Sequence, residues 1–184
     1  MRKLICLFVP LVLAGCEPVL EPPPGYPDCV AFQRMAVGTH EPGYVDGFMV
    51  SGLLGPYEIA RIDGKNTLQA DIYPPLVMAI DETTSQWRPY GALHLTLRAS
   101  GETQATVYLW EPRGGAPIAT SEVRFEKAGE RIVQFPAELA LNIGVVGVSG
   151  EDVGTQAACF GTPAGTTRGL SPAQLDRFRT GVPR

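Results

Sequence analysis

Histidine is nearly missing from this chain of 184 residues: His40 and His94 are the only two, and they stand far apart. Zinc sites take their ligands from Cys, His and acidic groups, so this scarcity argues against one. No Asp-x-Asp-x-Asp-Gly calcium loop is present. Asp81-Glu82 reads as a solvated turn. There is no basic run and the formal net charge is −4, which argues against nucleic-acid binding. No phosphate-cradling glycine motif occurs; Gly114-Gly115 belongs to a loop. The nearest approach to a nucleophile elbow is "GVSGE" at 147–151, but Glu151 stands where the last glycine belongs, so Ser149 is expected in a β-turn. No internal repeat appears. These gaps leave no cofactor and no catalytic residue to name.

Long apolar runs are missing too. The longest begins after Met1-Arg2-Lys3 and covers Leu4–Leu13, ten residues interrupted by Pro10. A transmembrane helix needs roughly 20. A basic head, a short apolar core and the small residues Ala14 and Gly15 make the layout of a secretory signal. Leu13-Ala14-Gly15-Cys16 resembles the lipobox of bacterial lipoproteins. That resemblance implies cleavage before Cys16, a diacylglycerol thioether on its sulfur and acylation of its amino group. It also implies anchoring by acyl chains, each buried methylene contributing about 0.8 kcal/mol. Glu17 follows, where an Asp would signal inner-membrane retention in the family. The expected location is therefore the outer membrane, with the inner membrane as the alternative and the folded head in the periplasm.

Cysteine is sparse, with four in all. On this reading Cys6 leaves with the signal and Cys16 carries lipid. Cys29 and Cys159 remain, an even number in an oxidising compartment, and a disulfide between them is expected. Arg2 and Lys3 also leave with residues 1–15, so the net charge of −4 becomes −6.

Glycine and proline are plentiful, at 21 and 17 residues. Residues 16–28 hold the lipidated cysteine and the run Pro22-Pro23-Pro24, a semi-rigid tether. Residues 29–162 read as one all-β domain, an antiparallel, jelly-roll-like β-sandwich. In "ALHLTLRA" the residues Leu93, Leu95 and Leu97 alternate with His94, Thr96 and Arg98. In "TQATVYLWE", Val107 and Leu109 take one face, and Thr106, Tyr108 and Trp110 the other. "IATSEVRFE" and "RIVQF" follow, with turn signals about every ten residues. "GYVDGFMVSGLLG", "YEIARID", "PLVMAID", "NIGVVGVSG" and "GTQAACF" read as further strands, and "DGKN" at 63–66 as a tight hairpin. Residues 163–184 form a tail with a short helix, where Ser171, Pro172 and Gln174 make a capping box ahead of Leu175 and Phe178.

Aromatic residues are the remaining candidates. "SQWRPYG" at 85–91 places Trp87, Arg88 and Tyr90 before the strongest strand, where exposed rings and a cation would grip a partner or stack on sugar; the competing expectation is that the rings cover the ends of the core. The leading expectation is a lipid-anchored, non-catalytic structural or protein-interaction module of the cell envelope. The alternative is a carbohydrate-binding module, since the "LHLTLRASGETQATVYLWEP" stretch resembles β-sandwich domains appended to secreted enzymes. That reading requires exposed aromatics in one plane. A small glycan hydrolase comes third and requires a cleft with two facing carboxylates.

Overall fold

The computed structural model describes residues 21–112, 114–135 and 142–161. The lipobox with Cys16, the tether before residue 21 and the expected helix near 171–178 lie outside them. Thirteen strands are formed among the described residues, joined to a single 3-10 turn at Phe32–Arg34. They are β1 (Asp28–Ala31), β2 (Gly38–His40), β3 (Gly43–Val45), β4 (Phe48–Ser51), β5 (Tyr57–Ile62), β6 (Lys65–Gln69) and β7 (Leu76–Met78). Then come β8 (Leu93–Ala99), β9 (Thr103–Trp110), β10 (Ala119–Phe125), β11 (Gly129–Phe135), β12 (Val145–Gly150) and β13 (Val153–Phe160).

These strands make two antiparallel sheets. The first runs β11-β8-β13-β6-β5-β2, and β1 joins it on β13. The second runs β10-β9-β12-β7-β4-β3. Alternation drives the layering, because successive strand side chains point to opposite faces. Leu93, Leu95 and Leu97 of β8 are wholly buried, as are Val107 and Leu109 of β9. They meet Phe32, Phe125, Phe135, Phe160 and Ile59 in one core. Phe160 stacks on Phe48 with ring centroids 4.6 Å apart.

The turns in the best β stretch do not all make hairpins. Thr103–Trp110 pairs with Ala119–Phe125 through the loop at 111–118. The turns after β8 and β10 instead carry the chain from one sheet to the other, and β11 returns to pair with β8. The Asp63-Gly64 turn closes β5 on β6, with both residues at positive φ (47° and 75°), as a two-residue hairpin of this hand demands.

Strand β13 is buried along its whole length. One edge pairs with β8 throughout, and the other is shared by β6 and then β1. Its register slips at Gln156, a local irregularity that turns this side chain towards Arg98. Arg98 donates to Gln156, to Asp63 at 2.7 Å and to Glu130 at 2.9 Å, so one guanidinium ties β8, β11, β13 and the β5–β6 turn together. Cys29 and Cys159 are directly paired on β1 and β13 and form the expected disulfide.

Candidate functional site

The three residues expected to share an exposed loop are separated. Tyr90 is buried, at 3% exposure. Its backbone makes both hydrogen bonds of a bridge to Ile143, and its hydroxyl donates to Asp28 Oδ2 at 2.8 Å. Burial, and then the hydrogen bond to Asp28, push the phenol far above its ordinary value, with Arg88 opposing. Tyr90 packs on Phe160, at 5.0 Å between centroids, and so belongs to the core. Arg88 is half in solvent and paired with Asp81. Trp87 is partly exposed and sits opposite Ile80 in an isolated bridge that prolongs β7. A large ring next to a turn is drawn into the core when its polar tip finds a buried partner, as Tyr90 does with Asp28.

A polar cleft of about 380 Å³ lies beside this loop, lined among others by Asp28, Asp46, Asp81, Glu82, Arg88 and Tyr90. Three of its acids already have local partners. Asp28 accepts from Tyr90, and Asp46 Oδ2 accepts the Ala31 N–H at 3.0 Å. Asp81 is buried; its Oδ1 takes the Thr83 N–H, the Thr83 hydroxyl and the Thr84 N–H, and its Oδ2 faces Arg88. Asp81 is thus the organiser of a turn and not the solvated acid expected from sequence. Among the described residues, no group of three or more His, Cys, Asp or Glu is placed to hold a metal ion.

The remaining polar candidates are also accounted for. His40 bonds the Ala36 carbonyl at 2.8 Å and stacks on Tyr57. His94 points outward from β8, meets Gln134 at 3.0 Å and lies edge-on to Tyr26; burial lowers its pKa. Ser149 lies inside strand β12, not in a turn, and its hydroxyl is 3.5 Å from the Tyr108 hydroxyl.

A different surface stands out on the second sheet. Outward positions of an antiparallel strand are ordinarily polar. Here one register row crosses five strands as Trp110, Val145, Met78, Met49 and Tyr44. Tyr44 is exposed, and Trp110, Met78 and Met49 are half-buried. The next row holds Tyr108, Gly147 and Leu76. Tyr108 and Trp110 stack with centroids 5.6 Å apart and an interplanar angle of 24°. They line an open groove of about 350 Å³ together with Leu53, Pro74, Leu76, Pro117 and Val145. Gly147 leaves room for this arrangement, since a Cβ there would meet Leu76, Pro74 and Trp110, each at 3.1 Å. Leu54, Ile72 and Tyr73 stand exposed on the flanking loops, at 84%, 78% and 60%. The first sheet differs: its outer face carries His94, Gln134 and the Arg98 network.

Sequence reasoning placed Tyr108 and Trp110 on a common face but passed over Tyr44, Met49, Leu76, Met78 and Val145. The available signal was apolar residues at both parities of "FMVS", "LVM" and "VVGVSG". Comparison with protein-family models, curated proteins and solved structures finds no match to this chain.

Proposed function

We propose that this chain is a lipid-anchored, non-catalytic docking module of the bacterial cell envelope, and that it docks through the outer face of its second sheet. The anchor is Cys16, read from the lipobox. The disulfide supports an oxidising compartment, where such bonds persist. The eight strands β6 to β13 follow the order of a jelly roll: β6, β13, β8 and β11 in one layer face β7, β12, β9 and β10 in the other. The remaining short strands lengthen both sheets.

The row from Trp110 to Tyr44 is the observation that carries the docking reading. Apolar groups left in contact on a solvent face mark interaction sites, and Met and aromatic side chains are enriched in them. The stacked Tyr108 and Trp110 favour the carbohydrate-binding reading as the second choice. Among the described residues the groove lining holds no charged or amide side chain to converge on sugar hydroxyls, so a protein segment ranks first.

Photocrosslinking in intact cells separates the two. A photoreactive residue at Met78 or Tyr44 is expected to capture an envelope protein, and one at Gln134 on the first sheet to capture none. Capture from position 87 or 88 but not from 78 or 44 overturns the choice of surface. Absence of any protein adduct, with glycan retained by the purified chain and lost on Trp110→Ala, transfers the face to carbohydrate.

A further inference from the structure

We infer that the apolar row of the second sheet is covered within the same chain by its basic C-terminal segment, residues 162–184, with Leu170, Leu175 and Phe178 as the anchoring side chains. This uses the same face as the docking reading but needs no outside partner.

The first support is the point of exit. Strands β12 and β13 are joined by the two residues Glu151 and Asp152, so the start of β12 and the end of β13 lie at one end of the sandwich. Val145 opens β12 inside the apolar row, and Gly161 closes the described head just after β13, its N–H on the Ala92 carbonyl at 2.9 Å. The two sheets are about 10 Å apart. The nine residues from Gly161 to Leu170 span up to roughly 30 Å when extended. Leu170 is therefore within reach of the row.

Charge is the second support. Residues 162–184 carry Arg168, Arg177, Arg179 and Arg184 against Asp176 alone, a net +3. Set against the −6 of residues 16–184, that leaves −9 on residues 16–161. Exposed Glu111 follows Trp110 directly, and Glu122 of β10 faces outward beside Thr106, with Arg124 farther along that strand and, in sequence, Arg113 of the 111–118 loop as counter-charges. Attraction between such groups is largely screened beyond about 8 Å at physiological salt, so it biases only a segment already tethered nearby.

Area is the third. Four strand spacings by two rows give roughly 300 Å². A stable dimer of flat faces needs roughly 800 Å² per partner. The row is too small and too concave for the flat sheet of a second copy, but it accommodates a few apolar side chains of a linked segment.

The test places p-benzoylphenylalanine at Phe178 in the full chain, expressed in its membrane. Photolysis is expected to give a monomer-sized adduct joining position 178 to peptides containing Leu76–Met78, Trp110 or Val145. Replacing the four arginines by glutamine is expected to reduce its yield several-fold. Adducts to the first sheet, dimer-sized adducts only, or a yield no higher than from position 166 overturn the inference. A Leu175→Asp/Phe178→Asp chain keeps the two readings apart. If both hold, partner capture from Met78 rises over wild type. If only docking holds, capture is unchanged and no intramolecular adduct exists. If only the covering segment holds, the adduct forms and no partner appears with either chain.

Discussion

At the scale of single residues, polar side chains around Tyr90 do structural work that a sequence presents as a binding site. Asp81 holds three hydrogen-bond donors and an arginine, while Arg88 keeps half of its side chain in water. The two partners should therefore be unequal. Asp81→Ala leaves the turn donors unpaired and is expected to cost about 2–3 kcal/mol in urea unfolding. Arg88→Ala removes the solvated partner of a buried carboxylate whose Oδ1 keeps its three donors, and should cost less, about 1 kcal/mol. Equal losses would show that the ion pair, and not the turn, is the important contact. Tyr90 adds a pH dependence. Its folded pKa lies above the unfolded phenol value of 10.0, so the folded state holds its proton more tightly. That stabilisation is complete below pH 10 and is lost as pH rises beyond it. Tyr90→Phe should be less stable near neutrality by about 1 kcal/mol, and should lose less further stability than wild type when unfolding is measured above pH 10. A steeper alkaline loss in the variant would count against this assignment. It also follows that any substitution of Trp87, Arg88 and Tyr90 together damages the core before it tests an interface.

At the scale of elements, β13 is where the fold is most tightly specified. A Cβ on Gly154 would lie 2.2 Å from Thr67 Oγ1 and 3.0 Å from the Leu68 carbonyl, whereas Gly101 has open space around it. Gly154→Ala should cost about 1–3 kcal/mol through overpacking of β13 on β6. Gly101→Ala should be close to neutral, and similar urea midpoints for the two would refute the crowding. The Cys29–Cys159 bond closes a separation of 130 residues, for which chain entropy sets a ceiling of about 5 kcal/mol. A Cys29→Ala/Cys159→Ala chain is expected to lose at least about 2 kcal/mol, and reductant should shift the wild-type midpoint the same way. Much of this level was legible in sequence. The Leu93, Leu95, Leu97 alternation, the Asp63-Gly64 hairpin and the pairing of the last two cysteines are local or countable signals. Sheet membership was not legible, because a turn such as Ser100-Gly101-Glu102 has the same composition whether it closes a hairpin or crosses to the other layer. The site was not legible either. Strands β7, β12 and β13 all carry apolar residues at both parities, and among the described residues only packing shows that β13 is buried throughout and β12 from Val145 to Val148, while Leu76 and Met78 of β7 stay half-exposed.

At the scale of the whole molecule, attachment and recognition are assigned to opposite kinds of surface, and that division can be measured. On the proposed reading, a lipid on Cys16 would confine the head to a membrane and raise its encounter rate with anything on the same membrane. The outer face of the second sheet would then need only modest affinity of its own. Cys16→Ser should move the protein from the membrane pellet to the soluble fraction without changing its urea midpoint, because Cys29 and Cys159 still pair. Partner capture from Tyr44 should fall with it, since contact chemistry is intact but local concentration is lost. Met78→Glu should do the reverse: the protein stays in the membrane pellet, floats with the outer membrane in a density gradient, and captures nothing from Tyr44. Met78 is half-buried at an outward position, so a carboxylate there reaches water and the stability cost should stay near 1 kcal/mol. A loss of 3 kcal/mol or more would mean that the row is an integral part of the core. Were Met78→Glu instead to leave capture untouched while Cys16→Ser abolished it, the lipid alone would place this protein beside its neighbours, and the apolar face would need another occupant.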